Sequence, residues 1–473
     1  MNLKLIKSIF LYGIGDFIVT GVTAFLFIPL YIKFLSPEEY GIFNILNNNS
    51  TLFTYFFQFG IVSAFGRIYF LKKAVNKEKE YTWNIIVLHF ISSAFLILFY
   101  FLFKGFILDQ LSPSVAKSNM VYYSPIIAFI SFLPALYYVY LRVEDKVTRF
   151  VFFQILTVFV LSVILLLIFI FYQIDLNNIL LAFIIGNLIV WIIVIFNFKI
   201  NINFNFKDIS ETVSFGFPIF ISYIAYFFIS KYSVIILQKY VSLSEIGMFS
   251  LAQQIATVPT LITIAISKAV QPLLFSSESD DELQLKSQRF DVIFKLIMIW
   301  IVGSIIFFID YLFYFFLPEK YNPIINATIY LLIINLIYNF AIVENSILLY
   351  KMKSKIILLI TLTGSIINVV LSNFLVQNYA LNGVLLAMAI AFSVNFLLSV
   401  YFSRKHLKIN YSLKAILLST LIIALYIFMS SLAIFKTSMV YKSILSAGFF
   451  VALTILVLLI FKQKQVNVKN GFI

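Results

Sequence analysis

The 473-residue sequence contains no cysteine. Disulfides, thiolate nucleophiles and thiolate metal sites are therefore excluded. Histidine is almost as scarce: His89 and His406 are the only two, too few and too far apart for haem or a multi-histidine metal centre. Charge is thin as well. Asp, Glu, Lys and Arg make up 11% of the residues, against about 25% in a soluble globular domain. There is no glycine-rich P-loop signature, so the chain is not itself an ATPase. No zinc-protease HExxH and no paired-carboxylate loop occurs outside the apolar runs, and no cofactor or metal is expected.

What is abundant is apolar sequence, at 62% of the residues. A bilayer-spanning helix takes about 20 mostly apolar residues, so fourteen would take about 280. That is close to all the apolar residues available, which leaves no room for a sizeable soluble domain or for most enzyme classes. The runs fall at 8–34, 41–70, 83–103, 120–141, 150–172, 178–197, 213–238, 246–273, 291–309, 324–349, 355–376, 383–402, 413–434 and 441–461. The fold class read from this is an all-α integral membrane protein of about 14 transmembrane helices.

The net charge of +14 is distributed, not clustered, which argues against nucleic acid as a partner. With the N-terminus inside, the outer connections keep Lys33, Lys104, Lys117, Lys239, Lys320, Lys436 and Lys442, and Lys231 lies within a span. The other 26 of the 34 basic residues sit in or near the inner connections and tails. Both termini are placed in the cytoplasm by this bias. Met1–Tyr12 has the charged start and apolar run of a signal peptide, but no small-residue cleavage site follows, so it reads as an uncleaved first span.

The chain repeats itself. LSPEEYGIF (Leu35–Phe43) and VSLSEIGMF (Val241–Phe249) align Ser36 with Ser242, Glu39 with Glu245, Gly41 with Gly247 and Phe43 with Phe249. A second pair, DLNNILLAF (Asp175–Phe183) and ALNGVLLAM (Ala380–Met388), has almost the same offset. Spans 1–6 and 7–12 thus read as two like-oriented copies, the parallel-repeat arrangement of many transporters. The expected division is a six-helix bundle over 1–212, a second over 213–404, and helices 13–14 with a cytoplasmic tail over 405–473.

Polar residues at helical spacing mark faces turned from lipid. Span 2 carries Asn44, Asn48, Thr51 and Gln58, and span 8 carries Gln253, Gln254 and Thr257 at repeat-related positions. These stripes read as the lining of a hydrated cavity, or as ordinary interhelical hydrogen bonding. Arg67 and Lys268 near the inner ends of spans 2 and 8, and Lys231 inside span 7, would make such a cavity cationic and fit it to a diphosphate. Each also reads as an interface lysine or arginine reaching for headgroups. Asp16, Glu344 and His89 are the candidates for proton or sodium coupling, and each could instead be a satisfied bundle residue. Pro29, Pro134, Pro218 and Pro259 are expected to kink their helices.

The opening stretch with FLSPEEYGIFN (Phe34–Asn44), and NYALNGVLLA (Asn378–Ala387) ahead of a twelfth helix, resembles the bacterial polysaccharide flippases. These are Wzx-like O-antigen and capsule oligosaccharide-lipid transporters of the multidrug/oligosaccharidyl-lipid/polysaccharide exporter superfamily. The resemblance implies a non-enzymatic, multi-pass protein of the bacterial cytoplasmic membrane. Its expected work is moving an undecaprenyl-diphosphate-linked oligosaccharide outward, amid membrane lipid and alongside the polysaccharide polymerase machinery. It also implies that helices 1, 2, 7 and 8 line the cavity, that Arg67, Lys231 and Lys268 meet the diphosphate, and that helices 13 and 14 form a lipid-tail groove. The alternatives are a multidrug or cation exporter of the same fold, which would favour carboxylates in the cavity, and a membrane polysaccharide polymerase or glycosyltransferase, which would want a long outer loop or a carboxylate-bearing catalytic loop.

Overall fold

The structure, a computed structural model, describes residues 27–102, 105, 122–172, 175–275, 277–407, 413–431 and 439–469. Among these the regular structure is helical, with no strand. Each apolar run from the second to the fourteenth coincides with helix. The first run lies mostly outside the described residues, and only its end, α1 (Ile28–Phe34), is seen. The rest follow in order as α2 (Pro37–Gln58), α3 (Ile61–Lys73), α4 (Glu78–Leu102), α5 (Tyr123–Val143), α6 (Val147–Phe171), α7 (Leu176–Ile195), α8 (Phe206–Ser230) and α9 (Tyr232–Leu237). Then come α10 (Leu243–Phe275), α11 (Asp280–Phe307), α12 (Ile309–Phe316), α13 (Ile325–Asn339), α14 (Ile342–Tyr350), α15 (Ser354–His406), α16 (Leu413–Ser431) and α17 (Met439–Lys469). Nine segments among the described residues are long and apolar enough to cross a membrane. The protein is a multi-pass membrane protein.

Caps decide where these helices start, and they correct several boundaries. The second span was expected to open at residue 41, but α2 begins at Pro37. Ser36 accepts from the Glu39 amide at 3.2 Å while its own amide donates to Glu39 Oε2 at 2.8 Å, a reciprocal capping box, and Pro37 supplies a preset φ at the first helical position. Ser242 and Glu245 repeat the box at the start of α10, at 2.9 and 3.3 Å. The ninth span was expected from 291, yet α11 runs from Asp280. Ser279 caps it, and Asp280, Asp281 and Glu282 in its first turn favour the positive end of the helix dipole.

The helices break away from their prolines. Pro134, Pro218 and Pro259 lie inside uninterrupted α5, α8 and α10. One interruption falls at Phe59–Gly60, both left-handed at φ 43° and 71°, between α2 and α3. Others fall at Lys231 between α8 and α9, and at Phe340–Ala341 between α13 and α14. Within α15 the backbone turns at Ala380 (φ 44°, ψ −122°), and a Cβ on Gly383 would fall on the Leu375 carbonyl. Residues eight apart cannot meet along one straight helix, so the chain doubles back there and α15 is two spans.

The chain forms two compact units, residues 1–250 with 361–391, and residues 251–360 with 392–473. In the first, Phe65, Tyr81, Phe132, Tyr137 and Phe150 are buried in an aromatic-rich core of α3 to α6. In lipid the association of helices rests on close packing, since the tails are as apolar as leucine, and small residues permit it. The starts of α2 and α10 show this. A Cβ on Gly41 would fall on the Leu243 carbonyl oxygen, and one on Gly247 on that of Pro37. Gly60 meets the Gly216 backbone of α8 in the same way. In the second unit α16 and α17 dock on α11: Gly303 lies beneath Ile423 and Leu453, the Trp300 indole donates to Thr454 Oγ1 at 3.0 Å, and the Tyr426 hydroxyl donates to the Phe307 carbonyl at 3.0 Å.

Candidate substrate and coupling residues

The α2 stripe is real but turned on itself. Asn44 and Asn48 are buried, and the Asn44 amide donates to the Tyr40 carbonyl at 2.8 Å. The hydroxyls of Ser50, Thr51 and Thr54 donate to carbonyls one turn back, at 2.9, 2.9 and 2.7 Å. Gln58 is half-buried at the end of the helix. On α10, Gln253 is buried, Gln254 half-buried, and Thr257 exposed with its hydroxyl on the Gln254 carbonyl at 2.7 Å. Hydroxyls bonded to their own helix satisfy the cost of polarity in lipid without needing water.

Of the three candidate cations, Arg67 and Lys231 do not share one place. Arg67 on α3 is exposed, and its guanidinium lies over the Phe215 ring of α8, 5.4 Å from the centroid. Lys231 is half-buried at the other end of α8, where the helix gives way to α9. At 1.5 Å per residue, the stretch of α8 from Phe215 to Lys231 sets them about 24 Å apart along the axis. Lys268 is in α10, and its side chain lies outside the described residues, as does Asp16.

The break at Lys231 has its own supports. Lys231 donates its amide to the Phe227 carbonyl at 2.8 Å. From α15, Ser365 donates to the Ala225 carbonyl at 2.5 Å, Asn368 to those of Phe228 at 3.0 Å and Ile229 at 3.3 Å, and Asn373 to the Tyr232 hydroxyl at 2.7 Å. The Asn368 amide thus meets carbonyls at the point where the helix is interrupted. Alongside, Tyr55 stacks on Tyr223, whose hydroxyl is 2.5 Å from Ser63 Oγ, so α2, α3 and α8 share a polar aromatic seam.

The coupling candidates separate clearly. His89 is fully buried and stacked on Phe132 at 3.9 Å with the rings 1° from parallel; Nδ1 is 3.3 Å from Ser93 Oγ and Nε2 has no partner. Its setting is an aromatic core. Glu344 is different. It is fully buried in the first turn of α14, 3.2 Å from Lys295 Nζ, and Lys295 is also 2.6 Å from Asp291 Oδ1. Lys295 further lies over the rings of Phe340 and Phe396, at 5.8 and 5.4 Å. Sequence reasoning missed Asp291 and Lys295, although Ser287, Asp291 and Lys295 recur every fourth residue on α11 and so mark one face.

With this arrangement of helices in hand, comparison with known proteins decides the family. The profile of the family described as polysaccharide biosynthesis protein matches residues 5–279, more than half of the chain. The chain belongs to that family. Comparison with curated protein sequences returns no match. Among solved structures this family member is similar to the lipid II flippase MurJ in an inward closed conformation, with a TM-score of 0.78 and 15% identity over 97% of this chain and 100% of that one. It is also similar to a multidrug resistance MATE family transporter of the MOP superfamily. The inward-facing form gives a TM-score of 0.66 and 16% identity over 82% and 94% of the two chains. The outward-facing form gives 0.58 and 15% over 85% and 94%. At such identities the likeness is one of fold, and the fold is that of MOP-type flippases and exporters. The family resemblance seen in FLSPEEYGIFN and NYALNGVLLA is borne out.

Proposed function

We propose that the chain is a flippase that carries an undecaprenyl-diphosphate-linked oligosaccharide from the inner to the outer leaflet of the bacterial cytoplasmic membrane by alternating access. The observation that carries this reading is the family match over residues 5–279. A sugar diphosphate cannot cross a hydrocarbon core of about 30 Å unaided, so the head group needs a polar path while the isoprenoid tail stays in lipid. The repeats 1–212 and 213–404 would rock to open that path to either side. The outward step then requires the Gly41–Gly247 contact to part, because those glycines sit at the outer ends of repeat-related helices.

The wide separation of Arg67 and Lys231 gives them successive duties. Arg67 meets the diphosphate at the inner side, where its planar fork suits paired phosphate oxygens, and Lys231 meets it later in the outer half. Lys268 is the third cation proposed for the diphosphate. The buried amides Asn44, Asn48 and Gln253, with Thr51, Gln58, Gln254 and Thr257, would line the sugar path.

Drug export is the second reading, favoured by the MATE likeness. The lipid II flippase nevertheless accounts for more of this chain, 97% against 82%. The test is deletion of the gene followed by analysis of lipid-linked sugars. An undecaprenyl-diphosphate oligosaccharide accumulating in the inner leaflet supports flipping, and unchanged intermediates reject it. Arg67→Ala should impair transport more than Arg67→Lys. Full activity in both Arg67→Ala and Lys231→Ala would return the two residues to the membrane interface.

A further inference from the structure

We infer that the connection between α7 and α8 is a strap laid in the inner face of the bilayer, with its apolar side chains among lipid tails and its lysines on anionic phospholipid headgroups. From Lys199 to Lys207 the sequence reads KININFNFK: Ile200, Ile202, Phe204 and Phe206 alternate with Asn201, Asn203 and Asn205 between two lysines. A period of two belongs to extended backbone, not to a helix. Residues 199–205 are accordingly outside any helix, and Asn205 is extended at φ −135°, ψ 106°. Asn203 donates its amide to the Asn201 carbonyl at 2.9 Å, a three-residue turn with Ile202 at its tip.

The strap is held by its asparagines. The Asn201 backbone amide donates to the Lys79 carbonyl at 3.2 Å, and its side chain donates to Glu80 Oε1 at 3.4 Å. The Asn205 amide donates to Asn84 Oδ1 at 3.0 Å, while its side chain caps α8 by accepting from the Lys207 amide at 3.0 Å. The apolar residues between them gain no such cover: Ile202, Phe204 and Phe206 are 75%, 56% and 71% exposed, and Ile200 is exposed too. A contiguous apolar row of this kind marks a contact surface.

Its place identifies the partner. The exposed row of α7 (Ile185, Leu188, Ile192 and Phe196) faces outward from a membrane span and leads straight into the strap, and exposed Phe217 takes it up again on α8. The apolar surface is therefore continuous with the one already given to lipid, and a protein laid on the strap would first have to displace lipid. Charge agrees. Lys72 holds Asp208 at 2.7 Å and Glu211 at 3.0 Å, and Glu78 and Glu80 are half-buried in the first turn of α4, where the helix dipole favours them. Lys77, Lys79, Lys199 and Lys207 are exposed. Lysine stems lie along apolar surface while their ammonium groups reach the headgroups, and interfacial binding adds apolar burial to attraction for anionic lipid. Because the strap ends as the cap of α8, lipid that seats it also steadies the inner end of the helix that breaks at Lys231. The inference needs only a membrane-spanning chain and goes beyond the flippase reading.

The experiment uses the full-length chain in liposomes of phosphatidylcholine and phosphatidylglycerol. The sequence has no cysteine, so Ile202→Cys, Phe204→Cys, Asn201→Cys and Asn203→Cys can each carry a single bimane probe. Lipids spin-labelled near the headgroup should quench the probes at 202 and 204 more than those at 201 and 203, and a water-soluble nitroxide should do the reverse. Spin-labelled phosphatidylglycerol should quench Ile202→Cys about twofold more than spin-labelled phosphatidylcholine at equal content, a preference lost when Lys199→Gln and Lys207→Gln are combined. A photoreactive phosphatidylglycerol on the wild-type chain should leave adducts within residues 200–206, which decides even where a labelled variant does not fold. Equal access of the aqueous nitroxide to all four probes, or no adducts in the strap, would overturn the proposal and leave the apolar row to a protein partner. Equal quenching by the two lipids would overturn the choice of an anionic one. The assay reads lipid contact alone, so failure of the chain to flip a lipid-linked sugar would leave its result standing.

Discussion

The two compact units bury polarity in opposite ways. In the first, the deeply buried polar groups of the spans are neutral and mostly self-satisfied: Asn44 and Ser50 bond their own helix, and His89 is sandwiched in phenylalanine. Its ion pairs lie at the inner margin, where Lys72 holds Asp208 at 2.7 Å and Lys73 holds Glu144 at 2.5 Å. The second unit takes three charges into its interior at Asp291, Lys295 and Glu344. Neutral groups bonded to backbone cost little and respond to little. A buried ion group is costly unless each charge keeps its partner.

The largest effect expected in breaking this contrast is Lys295→Met, which takes the ion-pair partner from buried Glu344 and should cost about 3–5 kcal/mol of stability in thermal unfolding. The triple replacement Asp291→Leu, Lys295→Met and Glu344→Leu should recover most of that loss. A triple variant as unstable as the single one would mean that packing, not charge, dominates the site. Next, Gly247→Val drives a side chain into the Pro37 carbonyl and should cost about 1–3 kcal/mol, with Gly41→Val alike. His89→Phe follows: it keeps the stack on Phe132 and should cost less than about 1.5 kcal/mol and leave the pH profile of transport unchanged. A shifted profile would give His89 a part in proton coupling.

The smallest effect concerns Glu144, outside the membrane. Partial burial alone would raise its pKa, but hydrogen bonds from Lys73, Lys146 and Tyr69 hold it below the usual carboxylate range. A depressed carboxylate stabilises the fold above its unfolded pKa of about 4.3, and that contribution is lost as pH falls through the lower folded value. Lys73 is half in solvent, so Glu144→Gln should cost only about 0–1 kcal/mol at neutral pH and nothing in acid. An equal loss at both pH values would assign the cost to packing.

Much of the fold was legible in the sequence because hydrocarbon imposes one rule on every span. The runs from the second onward all became helix, and the first repeat anchor had a physical reason: Ser36/Glu39 and Ser242/Glu245 are capping boxes, and Gly41 and Gly247 are where two backbones touch. The S-x-x-E spacing could have announced those helix starts directly. Pro134, Pro218 and Pro259 leave their helices continuous. The breaks fall instead at Phe59–Gly60, at Lys231 and at Phe340–Ala341, positions set by neighbours such as Gly216, Ser365 and Asn368. Lys295 was counted with the inner basic residues because it lies close to them in sequence. Its partner Glu344 is 49 residues away and arrives only through the packing of α11 on α14. The distance between Arg67 and Lys231 was equally hidden, because it depends on where along α8 the guanidinium comes to rest.

The most direct test of the flippase assignment is reconstitution of the purified chain into liposomes carrying an undecaprenyl-diphosphate oligosaccharide with a fluorescent sugar. Access of a membrane-impermeant quencher or glycosidase to the sugar then reports its leaflet. Sugar crossing between leaflets, slowed in Arg67→Ala and absent from protein-free liposomes, is the result expected. Crossing no faster than in protein-free liposomes, from correctly folded protein with an imposed proton gradient of either sign, would contradict it.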